Sequence, residues 1–106
     1  MSMDMNKMLQ QVQQMQADML KAQEELANER VEASVGGGMV TVIASGAGEI
    51  VDVKISPEAI DPDDPETLQD LVLAGVNQAL KNAQDLAQSK LGDVSGGLKG
   101  LGLPGL

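Results

Sequence analysis

The chain has 106 residues, 42% of them apolar, and a net charge of −9. It contains no Cys, His, Phe, Tyr or Trp, which removes disulfide frames, zinc fingers, haem axial ligands, thiol nucleophiles and His-dependent triads. Base stacking on aromatic rings goes with them, and catalysis is left with carboxylates, lysines and hydroxyls, so a non-enzyme is expected.

Residues 4–30 hold neither Gly nor Pro and are rich in Gln, Met, Leu, Lys, Glu and Ala, a composition that predicts one long helix. Its apolar positions Met5, Met8, Val12, Met15, Met19, Ala22 and Leu26 alternate spacings of three and four, the heptad pattern of a helix with one apolar seam. Such a helix reaches about 40 Å, whereas a 100-residue globule has a radius of gyration of about 13 Å. The helix should therefore project past the domain or lie along a partner.

Three β segments follow, over residues 31–36, 39–45 and 49–55. Val31, Ala33 and Val35 alternate with polar residues, as do Val51, Val53 and Ile55, and the middle segment is a dense β-branched run. Gly36-Gly37-Gly38 and Gly46-Ala47-Gly48 separate them. The pattern predicts an antiparallel meander with one buried face, whose open edges invite a second copy.

Residues 56–66 carry Glu58, Asp61, Asp63, Asp64 and Glu66 without a single base, more than half of the whole acidic excess. Asp64-Pro65-Glu66 reads as a helix start: a cap, Pro at the first helical position, then acid in the first turn. The second helix is expected over residues 65–91, with Gly92 as its stop. Residues 1–95 then form one domain, and the Gly/Leu-rich residues 96–106 a flexible tail. The fold class is α+β: a long N-terminal helix, a three-stranded antiparallel sheet and a C-terminal helix. With no aromatic residue the core is thin, which favours an obligate oligomer.

No metal or cofactor site is expected. The acidic loop has Pro65 where an EF-hand needs a ligand, and helix capping accounts for it. Neither glycine turn is followed by the Lys-Ser/Thr and helix that a phosphate cradle needs. Met5, Met8, Met15 and Met19 sit on the heptad stripe, where adaptable packing explains them better than Cu(I) binding. The N-terminus lacks the pattern of a secretory signal and no apolar run is long enough to span a bilayer, so a cytoplasmic location without membrane contact is expected.

Several pieces together resemble the YbaB/EbfC nucleoid-associated proteins of bacteria. They are Met5-Asn6-Lys7-Met8-Leu9, Gln14-Met15-Gln16, Ala22-Gln23-Glu24-Glu25-Leu26-Ala27, Gly36-Gly37-Gly38-Met39-Val40 and Ile55-Ser56-Pro57. Asp64-Pro65-Glu66-Thr67-Leu68, Asn77-Gln78-Ala79, Gly96-Gly97-Leu98 and Leu103-Pro104-Gly105 complete the series, in the family's order along nearly the whole chain. The resemblance implies a homodimer, with helices projecting from a central sheet region, that binds double-stranded DNA in the nucleoid with low sequence specificity and influences nucleoid organisation and gene expression. Members often carry more lysines on the first helix than this chain, which has Leu9, Gln10, Gln11, Gln13 and Gln14 there. From charge and expected exposure, the candidate DNA-contacting residues are Lys7, Lys21, Arg30, Lys81 and Lys90. The alternative reading is a protein-interaction module that docks DNA-processing proteins through its Met/Gln-rich helices.

Overall fold

The computed structural model describes residues 2–100, with side chains for residues 4–92. Helix α1 spans Ser2–Asn28, strands β1, β2 and β3 span Arg30–Val35, Val40–Ser45 and Ile50–Ile55, a single 3-10 turn covers Pro57–Ala59, and helix α2 spans Pro65–Gly100. The strands form one antiparallel sheet in the order β1-β2-β3. The molecule is drawn out to 75 × 23 × 16 Å with a radius of gyration of 20.4 Å, well above the roughly 13 Å of a compact chain of this length.

The core lies between α2 and the first two strands. Val40, Val42 and Ala44 of β2, Ala33 of β1 and Ala79 and Ala83 of α2 are buried, with Leu68, Leu71, Val72 and Val76 packed around them. Small residues on the inner stripe of α2 let the helix settle close to the sheet. A methyl group at Gly75 would lie 2.8 Å from Cγ2 of Val42, inside any normal contact, so glycine sets the helix-to-sheet distance there. At the other end of the sheet, a methyl group on Gly46 would lie 2.6 Å from the carbonyl oxygen of Leu26. The β2–β3 turn thus backs directly onto the end of α1, and the Gly46 N–H donates to the Glu29 carbonyl at 3.0 Å.

The start of α2 follows the expected chemistry. The Asp64 carboxylate accepts from the Thr67 N–H at 3.4 Å and from the Thr67 hydroxyl at 2.6 Å, with Pro65 in the first turn. The end of α2 differs from expectation. Gly92 does not stop the helix, which continues through residues 96–99 to Gly100. Gly92 keeps a negative φ, so it never adopts the left-handed conformation that ends a helix. One glycine costs about 1 kcal/mol relative to Ala, too little by itself to end a helix. The remainder of the expected tail, residues 101–106, lies outside the described residues.

A second difference concerns β3. Val53 pairs with Val42 and Ile55 with Val40, so their side chains face the α2 side of the sheet. Yet Val53 and Ile55 remain 38% and 37% exposed, as does Ile50 at 38%, which a bulge sets opposite Ala44 in place of Val51. Asn82 of α2 donates to the Glu32 carbonyl of the outer strand β1 at 3.2 Å, and Gly75 faces Val35 of β1 as well as β2. The helix is therefore displaced toward β1 and leaves the inner row of β3 uncovered. The expected single buried face is buried over two strands out of three. Leu73 and Leu80, on the flank of α2 away from Asn82, extend the uncovered row.

Candidate nucleic-acid interface

Only the last two turns of α1 are embedded. Ala22 and Leu26 are buried, Met15 and Met19 are half-buried, and Val12, Met8 and Met5 rise to 53%, 64% and 67% exposure. The N-terminal half of α1 is an arm. Lys7 and Lys21 are both exposed on it, about four turns apart and on nearly the same face. Lys7 belongs to the free part of the arm and Lys21 to its root.

The acidic segment lies at the far end of the sheet. β1 leaves α1 at Arg30 and arrives at Val35 beside Val40, the partner of Ile55, after about 20 Å of strand. Ser56 is tied there by its N–H to the Met39 carbonyl at 2.8 Å. Glu58, Asp61, Asp63, Asp64 and Glu66 follow at that end, away from the arm. Part of this acid serves local structure: Asp61 accepts from the Asp63 N–H at 3.0 Å, and Asp64 caps α2. The net charge of −9 is thus unevenly spread, and its densest part lies away from the arm.

The other three candidate cations are differently placed. Arg30 is exposed just past α1, where its Nη1 donates to the Ala27 carbonyl at 2.9 Å and the Glu29 carbonyl at 3.0 Å, closing off the helix end. Lys81 is exposed on the outer face of α2. Lys90 lies nine residues on, about two and a half turns, and so on the opposite face of the same helix. Its Nζ sits 3.0 Å from Oε2 of Glu25 and 2.8 Å from Oε1 of Glu29. These contacts hold the Glu25 carboxyl below the ordinary value of 4.5, chiefly through the hydrogen bond from Lys90 and then its charge. They also raise Lys90 above 10.5, first through the hydrogen bond to Glu29 and then that to Glu25. The five candidates therefore do not form one patch: Lys7 and Lys21 share a helix face, Arg30 closes the root, Lys81 faces outward and Lys90 is turned inward onto carboxylates.

Glu25 and Glu29 are the residues that a reading of single segments misses. The signal available was indirect. The last turn of α1 has no base while acid accumulates there, the wrong sign for the negative end of a helix dipole. Such an end calls for a cation from elsewhere in the fold.

The chain is 54% identical over 103 residues to a nucleoid-associated protein of Pelotomaculum thermopropionicum, covering 97% of this chain and 95% of that one. It is 50% identical over the same length to nucleoid-associated proteins of Ruminiclostridium cellulolyticum and Rhodococcus opacus, covering 97% of this chain and 88% and 91% of theirs. Its fold is similar to the crystal structure of an uncharacterized protein, HP0035, from Helicobacter pylori, with a TM-score of 0.72, 22% identity, and coverage of 83% of this chain and 92% of that one. With residues 1–98 matching the family's sequence profile along an arm-sheet-helix architecture, the chain belongs to the YbaB/EbfC DNA-binding family.

Proposed function

We propose that this protein is a nucleoid-associated DNA-binding protein, a non-enzyme that acts on double-stranded DNA as a homodimer and influences nucleoid organisation and gene expression. The observation that carries this reading is family membership over residues 1–98. The geometry supports a particular arrangement. The uncovered row Ile50, Val53 and Ile55, continued by Leu73 and Leu80, suits burial against a second copy, and two arms would then flank the duplex. Lys7 and Lys21 are the cations best placed to meet phosphates, while the acidic loops point away. Contacts to phosphates position a protein without reading sequence, which agrees with low specificity and a place on the nucleoid. The match does not favour the alternative of a module docking DNA-processing proteins.

The test is fluorescence anisotropy of a labelled duplex across a salt series. Two lysines on each of two arms give about four neutralised phosphates and a log–log salt slope of roughly −4 or shallower. Lys7→Glu and Lys21→Glu should each weaken binding and flatten that slope. Light scattering of the same sample should return twice the chain mass. Saturable binding that ignores both lysines would remove the arm from the interface.

A further inference from the structure

The contact between Lys90 and the root of α1 bridges two helices that are far apart in sequence. Three features meet at that root. Leu26 and Ala22 plug into the fold, Gly46 backs onto the helix end, and Lys90 reaches across from α2 to Glu25 and Glu29. The first two fix where α1 ends. The third ties α1 to a second helix and thereby opposes its swinging. Glu25 and Glu29 are one turn apart on the same side of the chain, and Oε2 of Glu29 is buried without a hydrogen-bond partner. Removing the ammonium group leaves two like charges facing each other, one of them partly shut off from water, at the end of a helix that already disfavours acid. Their relief is for the end of α1 to move.

We propose that Lys90 is a positioning residue for DNA binding: by clamping Glu25 and Glu29 it sets the direction of the α1 arm, and it makes no contact with DNA itself. This rests on the DNA-binding reading above, which it deepens. A lysine that turned to a phosphate would abandon both carboxylates, so the two roles exclude each other. Direct contact and positioning give opposite results when charges are exchanged, because a clamp works with either polarity and a phosphate contact does not.

The chain has no cysteine, so Gln10→Cys and Ser34→Cys give clean sites for a pair of spin labels, one on the arm and one on β1. Labelled protein is diluted into an excess of unlabelled protein, so that only distances within one chain are read. Lys90→Ala should broaden the distance distribution and weaken duplex binding several-fold without flattening the salt slope. The exchange Lys90→Glu with Glu29→Lys restores one of the two ion pairs and leaves Glu25 opposed by a like charge, so it should narrow the distribution and recover affinity relative to Lys90→Glu alone. Lys90→Met, which keeps a long unbranched apolar stem without the charge, should behave like Lys90→Ala and guards against simple loss of packing. The proposal is overturned if Lys90→Ala leaves the distribution unchanged. It is also overturned if the slope falls by about 0.9, the mark of one lost phosphate, and the exchange fails to recover binding. If the unsubstituted protein binds no DNA at any salt, the DNA reading itself fails, and the distances still report separately whether the clamp holds the arm.

Discussion

The two helices carry similar apolar stripes and meet very different surroundings. α2 presents Val72, Gly75, Ala79 and Ala83 to the sheet and is bound along half its length. α1 presents Met5, Met8, Val12 and Met15, and among its described residues only Ala22 and Leu26 are buried. Side-chain size at the seam separates them. Gly and Ala let a helix approach a sheet closely enough for continuous contact. Long flexible methionines hold neighbours off and suit a surface that adapts. An amphipathic pattern shows which face of a helix seeks cover; the bulk of the residues on that face shows how close the cover can come.

Substitutions at equivalent depths of the two stripes sharpen this contrast. Leu26→Ala empties the one large plug of α1 and should cost about 2–5 kcal/mol by urea denaturation, with helicity lost from the arm before the sheet unfolds. Gly75→Leu forces bulk between α2 and Val42 and should cost about 1–3 kcal/mol, felt by the whole domain in one transition. The clamp should show its own pH limits. A lowered Glu25 contributes stability that is present above 4.5 and fades as pH falls through its depressed value. A raised Lys90 contributes stability that is present below 10.5 and fades as pH rises through its elevated value. Thermal melts across pH should therefore show α1 loosening at both extremes, and Lys90→Gln should remove both limbs. Met8→Ser, far out on the arm, should change stability by no more than about 0.5 kcal/mol. A larger loss would mean that the outer arm is covered in solution, contrary to the contrast drawn here.

Much of the architecture was legible because it rests on local rules. The glycine-free run over residues 4–30, the strand periods and the Asp64-Pro65 helix start each state their conformation within a few residues. Gly92 misled because a glycine permits a helix stop without compelling one, and the stop needs a left-handed turn that the chain does not take. The exposure of Val53 and Ile55 was hidden for another reason. Alternation identifies the apolar face of a strand, but the lateral position of α2 depends on Gly75 and on the long-range bond from Asn82 to Glu32. Lys90 looked like any other cation for the same reason, since its partners at the end of α1 are more than sixty residues away in sequence. Lys7 could be read as an exposed arm residue directly, because the arm outruns the domain on length alone.

The separation of the acidic loop from the arm also bears on encounter. With five carboxylates gathered beyond one end of the sheet, negative charge is concentrated away from the arm, and a body charged unevenly in this way has an electric dipole. Near a polyanion such a body feels a torque before it feels contact. Repulsion turns the acidic end outward and presents the arm first. Because counterions screen this torque within about 10 Å at 0.1 M salt, the dipole orders only the last stage of approach. An acidic protein can in this way meet DNA repeatedly in one orientation while being repelled in most others.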